Sequence, residues 1–293
     1  MKARFASIIV LSTVLATLGA HAQSSDAGSS GRDRRLLTYA VAGFALQFGT
    51  LDLASGKFSP IGPVPRDVGT GLVKGPGTSL LYLAFSGKLT AIDPSTGKTS
   101  VVGDGTGGLG DCTALGSYAL NCANALGQLG GHLYATDFAN NLYSVDPRTG
   151  VATLIGPTGM PMLEFAPPNS NTDGTIDVVS ASLVSYRGKL YANFATVKVN
   201  PEAGTFEPIV SGELYQIDPS TGLATPIAPV DPNITAMVNV HDTVYAFDAW
   251  TGEVLVLDMT TGLTEPTNVV VSETAGSLIL GAAPAHPSPG FLN

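Results

Sequence analysis

Gly87-Lys88-Leu89-Thr90-Ala91-Ile92-Asp93-Pro94-Ser95-Thr96-Gly97 is the stretch on which the fold turns. It recurs as Asn140-Asn141-Leu142-Tyr143-Ser144-Val145-Asp146-Pro147-Arg148-Thr149-Gly150. It returns as Gly212-Glu213-Leu214-Tyr215-Gln216-Ile217-Asp218-Pro219-Ser220-Thr221-Gly222, and as Gly252-Glu253-Val254-Leu255-Val256-Leu257-Asp258-Met259-Thr260-Thr261-Gly262. A weaker copy runs through Phe48-Gly49-Thr50-Leu51-Asp52-Leu53-Ala54-Ser55-Gly56. Each copy is a short β run followed by a hairpin turn. The Asp side chain accepts backbone N–H bonds, Pro presets φ, and Gly takes the left-handed position that closes the turn.

Before each run lies another marked by a tyrosine: Tyr39, Tyr82, Tyr134, Tyr191 and Tyr245. After each turn comes a third run, ending Ile61-Gly62-Pro63, Ile155-Gly156-Pro157 or Ile227-Ala228-Pro229. Pro60, Pro226 and Pro266 lie inside these last runs, and proline is tolerated on a strand with a free edge, so these strands are outermost. Weaker apolar segments upstream, such as Ala181–Tyr186 and Ala236–Val240, supply an innermost strand. Four strands per unit, five units and Gly-rich turns predict an all-β, five-bladed β-propeller with antiparallel blades. The first unit lacks its inner strand, because the residues before Leu36 are polar. The apolar segment Leu278–Ala283 is left over and is expected to complete blade 1 and close the ring.

The units resemble the PQQ-type, YVTN and NHL-like propeller repeats of secreted bacterial proteins, over about residues 36–284. That resemblance implies architecture and no particular functional family. The PQQ-type repeat carries a Trp shortly after the Thr-Gly turn. Here Lys98–Val101 and Val151–Leu154 have none, and the single Trp, Trp250, precedes its turn, so no quinone cofactor is expected.

The rest of the chain sets compartment and partners. Lys2 and Arg4, the apolar run Phe5–Leu18 and Ala20-His21-Ala22 read as a signal peptide over residues 1–22. Residues 23–35 read as a disordered leader, 36–284 as the propeller and 285–293 as a Pro-rich tail. The expected compartment is extracellular or periplasmic. Cleavage would remove Lys2 and Arg4 and take the net charge from −9 to −11, against nucleic acid as a partner. No later segment reaches 18 apolar residues, so no membrane insertion is expected, and the protein should act as a monomer. Cys112 and Cys122 would form a disulfide in an oxidising compartment.

With strands named A to D from the centre outward, D–A and B–C loops share one face. The long insertions Asp104–Ala123, Thr158–Ser180 and Ala195–Ser211 all fall there, and variable loops on a rigid scaffold are where binding resides. The same face collects Asp67, Asp111, Asp137, Glu164, Asp173, Asp177, Glu202 and Asp248, with Arg66 and Lys198 among its few bases. Asp137 and Asp248, after strand B in blades 3 and 5, are candidates for a carboxylate pair of the kind glycosidases use, with Glu164 a further acid. Phe138 and Trp250 are candidates to stack on a sugar. Asn169, Asn171, Asp173, Thr175 and Asp177 alternate oxygens around Gly174 as calcium loops do, although Asn169 opens the loop and Ser180 stands where a bidentate Glu belongs. Calcium is the one cofactor this pattern puts forward. Gly105–Gly110 fits a dinucleotide-binding glycine pattern without the strand-to-helix context it needs, and reads as a loop. The reading is a secreted, non-catalytic binding or scaffold protein for a carbohydrate, a protein or a cation-dependent ligand. The alternative is an extracellular carbohydrate-active hydrolase or lyase using the loop-face carboxylates.

Overall fold

The computed structural model describes residues 36–43, 45–65, 69, 71–84, 86–106, 108–110, 123–161, 176–200, 205–272 and 278–285. The expected signal peptide, leader, Cys112–Cys122 disulfide and most of the tail lie outside the described residues. Among the described residues, twenty strands form five antiparallel four-stranded sheets. Blade 1 is β1 (Leu37–Ala42), β2 (Gln47–Asp52) and β3 (Phe58–Pro63), with β20 (Ile279–Pro284) as its inner strand. Blade 2 is β4 (Val73–Lys74), β5 (Leu80–Leu83), β6 (Leu89–Ile92) and β7 (Thr99–Val101). Blade 3 is β8 (Ala123–Leu129), β9 (His132–Asp137), β10 (Asn141–Val145) and β11 (Ala152–Pro157). Blade 4 is β12 (Ile176–Tyr186), β13 (Lys189–Asn200), β14 (Thr205–Ile217) and β15 (Ala224–Pro229). Blade 5 is β16 (Ile234–Val240), β17 (Thr243–Asp248), β18 (Glu253–Leu257) and β19 (Thr264–Val270). The ring is a five-bladed propeller, and the C-terminal β20 pairs with β1 from Thr38↔Pro284 to Ala42↔Ile279, completing blade 1.

The apolar residues gather in five clusters, one in each wedge between neighbouring blades. Because side chains alternate across a strand, each strand feeds both wedges beside it. In β17, Val244 and Ala246 enter the blade 4/5 cluster while Tyr245 and Phe247 enter the blade 5/1 cluster. Strands buried on both faces read as continuous apolar runs, which accounts for a chain only 13% charged.

The repeated turns form as expected. Gly56, Gly97, Gly150, Gly222 and Gly262 all have φ between +70° and +86° and donate their N–H to the carbonyl of the Asp four residues earlier at 2.8–2.9 Å. Gly56, Gly97, Gly222 and Gly262 also approach the outer strand of the neighbouring blade, and Gly150 approaches Val102 just past β7. A Cβ on Gly222 would lie 2.9 Å from the Gly156 carbonyl oxygen, and one on Gly97 3.0 Å from the Gly62 Cα. The Thr-Gly turn of one blade thus seats on the Ile-Gly-Pro end of the blade before it. In β3, β11 and β15 the register slips at Ile61, Ile155 and Ile227, so each Ile is the extra residue of a bulge.

Two readings of the sequence need correction. Ala195–Ser211 is not a loop insertion: β13 continues to Asn200 and β14 begins at Thr205, while β12 begins at Ile176. Alternating β-branched residues at Thr196, Val197 and Val199 favour strand, and the three strands run on beyond the blade as an antiparallel arm. The tyrosine of blade 2 is also one residue out of register. Tyr39, Tyr134, Tyr191 and Tyr245 pair with Thr50, Ser144, Gln216 and Val256, each two residues before the turn Asp. In blade 2 that position, Ala91, pairs with Leu81, and Tyr82 is displaced into the blade 1/2 wedge at 1% exposure.

Candidate functional site

The B–C turns on the loop-bearing face are built by the same turn chemistry. In blade 5, Asp248 Oδ1 accepts the backbone N–H groups of Trp250 at 2.7 Å and Thr251 at 2.8 Å. Gly252, at φ +72°, donates to the Asp248 carbonyl, and Glu253 N–H donates to Thr251 Oγ1 at 3.2 Å. Asp248-Ala249-Trp250-Thr251-Gly252 is therefore another Asp-x-x-Thr-Gly turn. The Asp-x-x-Thr-Gly spacing carries that signal in the sequence. Buried to 6% exposure, Asp248 shapes the turn that holds Trp250 out at 52% exposure.

Blade 3 uses a variant in which Asn140, at φ +57°, takes the glycine position. Asp137 is fully buried and both its oxygens are engaged. Oδ1 accepts Asn141 N–H at 2.8 Å, while Oδ2 accepts Asn141 Nδ2 at 3.0 Å and the Tyr143 hydroxyl at 2.8 Å. Burial, and then this bond, push the Tyr143 hydroxyl up to about 12. Asn140 extends the lock: its carbonyl accepts both the N–H of Thr158 (2.9 Å) and its hydroxyl (2.6 Å), and its Nδ2 donates to the Pro161 carbonyl. Thr158 in turn accepts the Ala224 N–H from blade 4 at 2.9 Å. The start of the long D–A segment is thus pinned to the B–C turn of its own blade and to the next blade. Sequence reasoning missed Asn140 and Thr158, both 1% exposed; a non-glycine residue at a turn position reserved for glycine was the available signal.

Asp137 and Asp248 belong to blades 3 and 5, and the structure brings each to its own turn. Phe138 is half-buried beside Asp137. Glu164, Asn169, Asn171, Asp173 and Thr175 lie outside the described residues, as do Asp67, Asp111 and Glu202. Asp177 and Lys198 are placed by backbone only, opposite one another in the β12–β13 ladder. Among the described residues, no cluster of three or more His, Cys, Asp or Glu could hold a metal. The glycine-rich segment behaves as a loop: Thr106 bonds back to Asp104, and Leu109 N–H donates to Gly87 of the blade 2 B–C turn at 3.1 Å.

No protein-family model and no curated protein matches the chain. Solved structures do resemble it. One is a chain of a nidogen/laminin complex, at 11% identity and TM-score 0.46, over 84% of this chain and 97% of that one. Another is a PQQ-bound aldose sugar dehydrogenase from Streptomyces coelicolor, at 12% identity and TM-score 0.41, over 75% and 86%. A third is a protein of unknown function from Bacteroides thetaiotaomicron, at 14% identity and TM-score 0.42, over 79% and 55%. Likeness this distant concerns the chain trace, and the β-propeller assignment rests on the strand topology itself.

Proposed function

We propose that this chain is an exported, monomeric, non-catalytic binding protein that engages a glycan on the face formed by its B–C and D–A loops, with Trp250 of the blade 5 turn as the stacking residue and Phe138 of the blade 3 turn as a further aromatic on that face. The observation that carries the reading is Trp250 itself: a large aromatic side chain 52% exposed, on a turn tied down by Asp248, Thr251 and Gly252. A rigidly presented ring offers apolar area to the C–H face of a sugar at little ordering cost. The engagement of both Asp137 oxygens by its own turn favours binding over hydrolysis, since a carboxylate bracing a turn is not placed to transfer a proton. Calcium at Asn169–Asp177, suggested by the order of oxygen-bearing residues, would tie the long D–A segment to ligand occupancy. Export rests on the basic, apolar and small-residue order of residues 1–22.

The test is a glycan array probed with and without calcium, followed by titration of any hit against Trp250→Ala. Binding that falls at least tenfold in the variant, with thermal stability unchanged, supports the proposal. Turnover of a polysaccharide that disappears in Asp137→Asn or Asp248→Asn, with the fold intact, would replace it with a hydrolase or lyase.

A further inference from the structure

The repeats supply an internal comparison for the turn that carries Trp250. In blade 3 the Tyr143 hydroxyl donates to Asp137 Oδ2 at 2.8 Å, and in blade 4 the Tyr215 hydroxyl donates to Glu213 Oε2 at 2.7 Å. Each carboxylate is thus matched by a donor from strand C of its own blade. Register identifies the counterparts in blade 5. Tyr143, Tyr215 and Leu255 pair with Ala135, Ala192 and Ala246, so Leu255 stands where the other two blades have the tyrosine. Two residues earlier, Glu253 corresponds to Glu213 and to Asn141. Asp248, at the end of β17, corresponds to Asp137 at the end of β9.

Blade 5 therefore keeps both acids and loses the hydroxyl. Phe247 pairs with Val254, which sets Asp248 and Glu253 opposite one another at the next position, and like charges so placed repel. Asp248 Oδ1 is taken by the Trp250 and Thr251 N–H groups. Its Oδ2 accepts no bond among the described residues although the residue is only 6% exposed, and the half-buried Glu253 carboxylate accepts none either. Leu255 lies in the blade 4/5 cluster and has no donor to offer. The surroundings carry the same sign of charge. From residue 199 onward the sequence has eleven Asp and Glu and no Lys or Arg, so the net charge of −9 arises in this part of the chain. Blade 5 itself contributes Asp242, Asp248, Glu253, Asp258 and Glu265, with His241 at its A–B turn on the opposite face. Lys57, on the blade 1 turn that seats against Val270, shares that turn with Asp52.

We propose that the sugar bound at Trp250 is an amino sugar with a free ammonium group, an inference that rests on the glycan reading above and names its chemistry. The ammonium brings three donors and a positive charge to Asp248 Oδ2 and Glu253, supplying what Tyr143 and Tyr215 supply as neutral donors in blades 3 and 4. The indole on the same turn, 52% exposed, attracts a cation through the negative face of its ring and covers the C–H groups of the sugar beside it. A uronic acid or a sulfated sugar meets two carboxylates of its own sign. An N-acetylated sugar has no charge to set against them.

The test is calorimetric titration of the full chain with the β-1,4-linked tetramers of glucosamine, N-acetylglucosamine and glucose and with tetragalacturonate, in a mildly acidic buffer that keeps amines charged and carboxylates ionised. Calcium chloride is titrated separately. The glucosamine tetramer should bind roughly tenfold or more tightly than either neutral tetramer, the scale of one charge-assisted hydrogen bond, and tetragalacturonate should not bind. Added salt should shrink that preference. Glu253→Gln and Asp248→Asn, each checked by thermal melting, should each remove most of the preference while leaving the affinity for the N-acetylglucosamine tetramer nearly unchanged. Glu265→Gln, the same change of net charge on the outer strand, should leave it intact. Equal affinity for glucosamine and neutral tetramers, an equal loss in Glu265→Gln, or calcium that saturates the wild type and displaces the sugar would overturn the proposal. A neutral glycan whose binding depends on Trp250, with no gain for the glucosamine tetramer, removes this inference and leaves the glycan reading standing. The absence of binding by every glycan removes both.

Discussion

Replacing Asp137 by alanine separates a bracing carboxylate from a reacting one. The substitution removes the acceptor for three donors: the Asn141 N–H at 2.8 Å, its Nδ2 at 3.0 Å and the Tyr143 hydroxyl at 2.8 Å. A hydrogen bond to a charged group contributes about 1.5–3 kcal/mol, and a buried donor left without a partner costs about 1–3 kcal/mol. Tyr143 and Asn141 are half-buried and can turn toward water, whereas the backbone N–H is fixed. The sum is therefore discounted to about 3 kcal/mol, which for a domain of this size lowers Tm by roughly 6–12 °C. Urea unfolding and thermal melts measure the loss. Spectrophotometric titration gives a second readout, because Tyr143, held at about 12 by burial and then by Asp137, should ionise at lower pH in the variant. A loss below about 0.5 kcal/mol, within the range of an ordinary surface change, would refute the bracing role.

Three further outcomes follow from the same structure. Asp93, Asp146, Asp218 and Asp258 each accept bonds within their exposed turns and are held below the usual 3.8, so the support they lend is complete above that pH and is lost as pH falls through their lowered values. Melts recorded from pH 5 down to pH 2 should therefore show Tm declining only below about pH 4, and less steeply when one turn Asp is replaced by Asn. A Cβ on Gly127 would lie 2.5 Å from the Leu183 Cβ, where inner strands of blades 3 and 4 meet, so Gly127→Ala should cost about 1–3 kcal/mol, and Leu183→Ala in the same chain, which keeps the clashing Cβ, should not recover it. Ending the chain after Ser272 removes β20, and with it Ile279, Ala282 and Ala283 from two wedges, so the single cooperative unfolding transition should disappear in calorimetry.

The ring was legible because its signals are local and repeated. Asp, Thr and Gly at fixed spacing specify a turn whatever surrounds them, and prolines at Pro60, Pro226 and Pro266 mark strands with a free edge. Closure by Ile279–Pro284 followed from a count of strands. Register was harder. Leu80-Leu81-Tyr82-Leu83 is buried on both faces, so its sequence lacks the polar alternation that would fix which residue is which, and only pairing with β6 shows Leu81 in the tyrosine position. The candidate site was less legible for a related reason. An acid on a loop has the same letter whether it reacts or accepts N–H bonds, and Asp248 was recognisable as a turn former only through Thr251 and Gly252.

Trp250 is the single tryptophan of the chain, so its fluorescence reports the proposed binding face without interference. Titration with the oligosaccharide that binds best on the array, followed by acrylamide quenching, tests the account most directly. Stacking on a ring 52% exposed should blue-shift the emission saturably and reduce quenching in the complex. Saturable binding that leaves both the emission and the quenching unchanged, or the absence of any glycan that binds, would contradict it.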